Sequence, residues 1–542
     1  MLQDERKKRF SRRRFIQGTA AAAAGAPLAL RARERDDDDD DRDHGRTCGD
    51  APDVNFVNGR FLTMDAQNRV VSALAIRDGR IARVGHPTDL GPCGRTLNLK
   101  GATVIPGLID THVHFLRCGQ NPGHEVRIIE TAASVAELLQ MVTARIKELA
   151  VPAGEFITCI GGWNINGLAE KRLPTVAELD AAAPNNPVYL STTGAGGAIT
   201  NTAGAGFFTS RGITVNANGT LNAGQALAAL QAVQTEDDRQ RGTGEVFDFA
   251  SSLGLTMVTD MGLQGAAVDY IEGYRYAMTL WRQGALKVRL RAYLNSSFDT
   301  GFSVATNVVD SSFKRIGDDV FRTNGIGERV NSSTTNPGYF DLVKHAASKG
   351  WMVTQHSLTS NEIDFHISAY QAAKALPADI GKLRWTLDHV NPINDAQIAA
   401  VKDLGIGLRL QGWNYTSAAP AGPPWRKLVD AGMPLSAGTD STNVGALNPW
   451  LMMYYMTTML NNAGTAAAPA NQQITRLEAL RMYTIGGAFH SFDEDKLGSL
   501  EAGKLADLVV LSDDPLSVSN DQLKRLRSSL TLQAGRIVHQ SL

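Results

Sequence analysis

The residues with chemistry to offer stand where apolar runs end. In VIPGLIDTHVHFLR, Val104 to Arg117, an apolar segment closes on His112 and His114. Side chains alternate along a strand, so the two imidazoles share one face and Val113 takes the other. Taken alone they admit two readings, half-buried histidines bonded to backbone or two ligands of one metal ion. Further along, Asp260 closes LTMVTD, Glu328 follows GIG, His356 closes WMVTQH, His389 closes LRWTLDH and Asp440 closes PLSAGTD. Four of the 11 histidines therefore sit at strand ends, in a chain where histidine is scarce. Imidazole and carboxylate together suit zinc or another borderline divalent ion.

Positioning such residues requires strands whose C-terminal ends converge. Eight apolar strand candidates recur between helical patterns: ATVIPGLIDTH, LTMVTDMG, LKVRLRAYLN, GIGERV, WMVTQHS, LRWTLDHV, IGLRLQGW and PLSAGTDS. That alternation predicts a (β/α)8 TIM-type barrel over residues 104–492, with chemistry at the C-terminal ends of its strands. SVAELLQMVTARIKEL carries a Ser134/Glu137 capping box and one apolar stripe, the pattern of an amphipathic helix. Residues 156–248, rich in Gly, Thr and Asn, read as an insertion over the barrel mouth. Short alternating runs broken by Asn-Gly and Asp-Gly at one end, and DLVVLSDDP with SLTLQAGRIVHQ at the other, predict hairpins. Residues 52–103 and 493–542 are thus expected to build a small β-sandwich from both chain ends.

The first 50 residues have a different texture. SRRRFIQ followed by GTAAAAAGAPLAL joins a basic region to a short apolar one, so residues 1–35 read as an export signal. The paired arginines Arg12 and Arg13, with Phe15, Ile16 and Gln17 behind them, resemble a twin-arginine signal, which implies the twin-arginine machinery as a partner and a periplasmic or secreted destination. Residues 36–51 include six consecutive aspartates, Asp36 to Asp41, expected to form a solvated, disordered linker. With that basic arm and acidic run set aside, the body is close to neutral within a chain of net charge −1. This disfavours nucleic acid or an anionic membrane surface as partner, and leaves a small-molecule substrate; a homo-oligomer stays open. The 4 cysteines are too few for a disulfide scaffold, and Cys48 with Cys93 is the pair that an oxidising compartment would bridge.

PGLIDTHVH, QHS, LDHV, SAGTD and the closing LGSLEAGKLADLVVL, in that order, resemble the metal-dependent amidohydrolase superfamily. GGWNINGLAEKRLPTVAELDAAAPNNPVYL narrows the resemblance to the branch that includes N-substituted formamide deformylases. The resemblance implies one or two divalent ions, zinc foremost. It makes His112 and His114 ligands of the more buried ion, with Asp440 completing that site and serving as general base. His356 and His389 then hold a second ion or, with one ion only, hydrogen-bond the substrate carbonyl. Many relatives bridge two metals with a carboxylated lysine on the fourth strand; this chain has Glu328 there, either a ready-made bridge or the partner of a barrel arginine. The implied reaction is hydrolysis of an amide or cyclic amide C–N bond. An ester or lactone hydrolase on the same metal centre, and a catalytically silent binding protein, are the alternatives.

Overall fold

The computed structural model describes residues 54–541, except 92–93, 120–122, 194–195, 263–271, 417–421 and 443. The export signal, the acidic linker and the Cys48–Cys93 pair therefore lie outside the described residues.

Eight parallel strands form the centre: β1 (Leu108–Val113), β2 (Leu255–Asp260), β3 (Arg289–Leu294), β4 (Phe321–Ile326), β5 (Thr354–Ser357), β6 (Thr386–His389), β7 (Gly407–Gln411) and β8 (Leu435–Gly438). They pair in sequence as two four-stranded sheets, β1 to β4 and β5 to β8. Backbone bonds cross both seams. Ile326 N donates to Met352 O at 3.0 Å, and on the other side Asp440 N donates to His112 O at 2.8 Å and His114 N to Ser441 O at 2.7 Å. Every residue of β1, β2, β5, β6 and β7 is buried, polar ones such as Asp110, Gln355 and Arg409 included, as expected of strands covered on both faces. Intervening helices begin and end on local signals. Helix Asp395–Leu404, for example, opens on an Asn394/Gln397 capping box and closes on Gly405 at φ +68°.

The expected first barrel strand divides in two. Thr103–Pro106 pairs with Leu508–Leu511 and with Arg60–Phe61, whereas β1 starts after Gly107. A Cβ at Gly107 would lie 2.1 Å from Thr256 Oγ1, so the crossing between the two sheets needs glycine. Strands from both chain ends, Val54–Leu62 through Thr103–Pro106 and Leu508–Leu511 through Arg536–Gln540, join in one eight-stranded hydrogen-bonded sheet. Asp78-Gly79 and Ala534-Gly535 make its tight hairpins, with both residues of each pair at positive φ. Asn58-Gly59, expected to be a hairpin, instead forms a bulge inside the strand Val54–Leu62. Asn58 takes φ +53°, and the register shift lets one strand pair first with Arg95–Asn98 and then with Thr103–Pro106.

The inserted region begins earlier than expected. Its five-stranded sheet runs from His124–Glu125 through Ile157–Ile160, Val188–Ser191 and Ala198–Thr200 to Thr220–Leu221. Helix Val135–Glu148 belongs to this unit rather than to the barrel wall: its Leu138 and Val142 pack with Ile157, Leu179 and Val188. Helix Glu236–Ser252, by contrast, packs in the main core through Val246, Phe247 and Ala250. The insertion grips the loops beyond β7 and β8, where Asn166 Nδ2 donates to Thr416 O at 3.0 Å and Thr442 Oγ1 to Ile160 O at 2.7 Å. No described helix is long and apolar enough to cross a membrane.

Candidate metal centre

All six predicted site residues meet at the C-terminal ends of the strands, and all six are buried. His112 and His114 point inward from the end of β1, as the alternation required. His389 and Asp440 arrive differently: both sit at positive φ, +70° and +53°, where the chain leaves β6 and β8. A non-glycine residue in the left-handed region costs about 1–3 kcal/mol, and such residues persist where surrounding structure enforces them.

Glu328 lies at the centre. Its Oε2 is 3.3 Å from His112 Nε2, 3.0 Å from His356 Nδ1 and 3.1 Å from His389 Nε2, and its Oε1 is 3.3 Å from His114 Nε2. The carboxylate thus faces the histidines. Asp440 Oδ1 stands 3.6 Å from His112 Nε2 and 3.5 Å from His114 Nε2, and Asp440 Oδ2 stands 3.8 Å from His389 Nδ1.

These spacings test whether the donors fit an ion. Ligands about 2.0–2.2 Å from a tetrahedral zinc are separated from one another by about 3.3–3.6 Å. The separations of Glu328 and Asp440 from His112 and His114 fall in that range and exceed the usual length of a hydrogen bond. His112 Nε2 is buried without a hydrogen bond, as is His389 Nδ1. Three trios, His112/His389/Asp440, His112/His114/Glu328 and Glu328/His356/His389, each bring their donor atoms within 4.8 Å of one another. The donor set fits a divalent ion on distance, burial and chemistry. The His356/His389 side is tighter, with His389 Nε2 2.8 Å from His356 Nδ1.

The electrostatics agree. Burial by itself would lower the affinity of His112 for a proton, but the carboxylates of Glu328 and Asp388 raise it well above the ordinary value. His114, likewise buried, is pushed up to about 9 by Asp440 and Glu328. Burial would raise Glu328, yet His112 and His356 hold it well below the usual carboxylate range. A pocket that stabilises protons on two buried imidazoles is a potential well for positive charge, the same property that holds a metal cation.

A second layer of residues fixes these ligands. Asp388 Oδ2 lies 3.2 Å from His112 Nδ1 and accepts from Thr354 Oγ1 at 2.6 Å. Asp388 therefore orients His112, which ends another strand, β1. Asp110 accepts from Thr439 Oγ1 at 2.6 Å, from Thr439 N at 3.2 Å and from His112 N at 3.1 Å, tying β1 to the segment that leads into Asp440. Arg127, buried between Glu125 and Glu130, donates to Thr442 Oγ1 at 3.1 Å, two residues past Asp440. Arg329 Nη2 donates to His356 Nε2 at 3.0 Å.

Other strand-end and histidine candidates take structural roles. Asp260 accepts from Tyr274 Oη at 2.7 Å and from Leu116 N at 3.3 Å, bracing the turn after β1. His366 is buried, with Nδ1 2.9 Å from Ser357 Oγ and Nε2 2.7 Å from Thr334 O. His124 pairs with Glu155 at the insertion edge. Sequence reasoning passed over Asp110, Arg127 and Arg329. The first two act through residues hundreds of positions away, and only the adjacency of Arg329 to Glu328 offered a signal.

Comparison with known proteins gives a consistent answer. Residues 95–539 match the model of an amidohydrolase family. The N-substituted formamide deformylase of Arthrobacter pascens is 26% identical over 539 residues, covering 89% of this chain and 97% of the relative. An uncharacterised metal-dependent hydrolase from Pyrococcus furiosus aligns with a TM-score of 0.56 at 20% identity, covering 86% of this chain and 100% of that one. Atrazine chlorohydrolase TrzN from Arthrobacter aurescens TC1, complexed with zinc, aligns at 0.53 and 17% identity over 90% of this chain and 95% of that one. These structures share a TIM-barrel-type α/β fold with this chain. With a family model matched over most of its length and a buried His/Glu/Asp cluster at the ends of its parallel strands, the chain belongs to the amidohydrolase family.

Proposed function

We propose that the protein is a metal-dependent hydrolase of a non-peptide C–N bond, an amide or cyclic amide, in a small organic substrate. One observation carries this reading: a single buried carboxylate, Glu328, stands within 3.3 Å of four imidazoles, with Asp440 within 3.6 Å of two of them. On this reading the two four-stranded sheets close as one (β/α)8 barrel, the end-built sheet curls into a small sandwich, and the insertion roofs the barrel mouth.

His112, His114 and Asp440 would hold the first ion, with Glu328 shared toward His356 and His389. Zinc is the first ion to test, given the nitrogen-rich donor set. Bound there, the ion supplies a positive charge that polarises a carbonyl and acidifies water. The chain's own residues do the rest. Asp440, whose Oδ2 faces His389 rather than His112, takes the proton of the attacking water and passes it to the departing nitrogen. His389 donates to the substrate carbonyl oxygen as charge builds on it. Asp388 keeps Nδ1 of His112 engaged, so that Nε2 is the nitrogen presented to the centre.

We also infer that the protein is exported, which rests on SRRRFIQ and the apolar run behind it. Replacing Arg12 and Arg13 with lysine should hold it in the cytoplasm, and unchanged export would rule out that route. The catalytic reading is tested by metal analysis of protein purified without chelators, together with a screen of N-formyl, N-acyl, lactam and ester compounds. Metal-loaded protein that cleaves esters but no C–N bond would overturn it.

A further inference from the structure

Among the described residues, two guanidinium groups near the strand ends carry charge that no ion pair answers. Arg329 directly follows Glu328, is partly exposed, and makes one side-chain hydrogen bond, to His356 Nε2 at 3.0 Å. Arg117 lies on the short helix Phe115–Gly119, three residues beyond His114, and is half-buried. Among the described residues neither forms an ion pair, and Arg117 forms no hydrogen bond. The carboxylate whose charge acts on Arg117 is Asp440, a member of the cluster itself. Two buried arginines of β3 are ion-paired by contrast, Arg289 with Asp507 and Arg291 with Asp493, both at 2.9 Å. Keeping a partly desolvated cation without a counter-ion costs free energy, and a binding site is where that cost is offset by a ligand.

Geometry says what the ligand brings and where. His356 presents Nδ1 to Glu328 and Nε2 to Arg329, each at 3.0 Å. The guanidinium therefore stands one imidazole's width from the cluster. Four of its five N–H donors are left over, in a planar fork that matches a carboxylate. Resting on the hydrolase reading above, we propose that Arg329 binds a carboxylate of the substrate, so that the preferred substrates are N-acyl compounds bearing an anionic group two or three bonds from the scissile C–N bond.

A matched pair tests this: N-formylphenylglycine and N-benzylformamide differ by one carboxylate. The metal-loaded full chain should cleave the acid with a kcat/KM at least ~10-fold higher, mainly through KM, and added salt should shrink that preference. Arg329→Met removes a charge-assisted contact and should lower kcat/KM for the acid by about 10- to 100-fold, collapsing the ratio between the two substrates. Arg329→Lys, with charge but no fork, should restore part of it. Metal content is measured in every variant, and a variant that loses preference only because it loses metal overturns the assignment. Equal cleavage of both compounds by the parent protein, or a ratio that Arg329→Met leaves intact, also overturns it. If neither compound is cleaved, the formamide chemistry fails, and the anion site is read separately by calorimetry with benzoate and benzamide. Benzoate binding weakened ~10-fold by Arg329→Met upholds the site, and equal binding of the two refutes it.

Discussion

Replacing Gly438 with alanine should damage the metal centre without touching a ligand. Gly438 ends β8 against the backbone of His112, and a Cβ there would lie 2.6 Å from His112 N, 2.7 Å from its O and 2.8 Å from its Cβ. Ordinary contact begins at 3.4 Å, so β1 and β8 must part by about 0.8 Å. The same seam carries the Asp440 N to His112 O bond of 2.8 Å and sets the 3.6 Å approach of Asp440 Oδ1 to His112 Nε2. Metal coordination tolerates errors of about 0.2 Å, so a displacement several times larger should cost at least ~10-fold in metal affinity. Overpacking of this kind should also lower folding stability by about 1–3 kcal/mol, and a misplacement near 1 Å reduces turnover by about 100-fold. Gly432→Ala is the control: Gly432 also has a positive φ, +69°, but its Cβ would meet nothing within 4 Å. That variant should lose about 1 kcal/mol of stability and keep its metal. Metal is counted by atomic emission after dialysis, stability by urea unfolding of ion-loaded and chelated protein. If Gly438→Ala keeps full metal, normal turnover and parental stability, the seam between β1 and β8 does not set the site.

Three further outcomes follow from the same geometry. Asp388→Asn should weaken metal binding by about 10- to 100-fold while leaving the fold intact, because a neutral amide no longer places a negative charge 3.2 Å from His112 Nδ1; retention of parental affinity in a competition titration would refute that role. Glu328→Gln should lower metal stoichiometry and turnover far more than stability, and a variant that keeps both would detach Glu328 from the ion. Glu362 follows His356 at the start of the next helix. Although burial opposes it, bonds from Thr334, Thr359 and Leu358 hold its carboxyl down to about 2. Since that value lies below the unfolded one of about 4.3, its ionised form contributes stability above about pH 4.3, lost as pH falls toward 2. Urea unfolding should therefore separate Glu362→Gln from the parent at pH 6 and bring the two together near pH 2; a gap independent of pH would refute this.

Much of the centre could be read from the chain. His112 and His114 were legible because strand alternation is a local rule, and His356, His389, Asp440 and Glu328 because each closes or follows an apolar run. The alternation of strand and helix patterns made the eight parallel strands legible as well, although β4 (FRTNGI) and β5 (TQHS) are themselves mostly polar. Local pattern misled where partner choice decided. Asn58-Gly59 satisfies the chemistry of a hairpin and makes a bulge, because two different strands flank Val54–Leu62. Ser134 caps its helix as expected, yet that helix packs on the insertion rather than the barrel, since an apolar stripe does not name the surface it will cover. Only the tertiary structure decided that Asp388 serves His112, that Asp110 holds the segment before Asp440, and that Arg127 anchors the loop beyond it. Those contacts join residues as many as 329 positions apart, and side-chain distances between the two sheets are set by the packing of all eight strands, which no local window contains. The sequence by itself determined which groups end the strands and hence the donor set; folding determined which of them face one another, because only there do burial and the field of neighbouring carboxylates act.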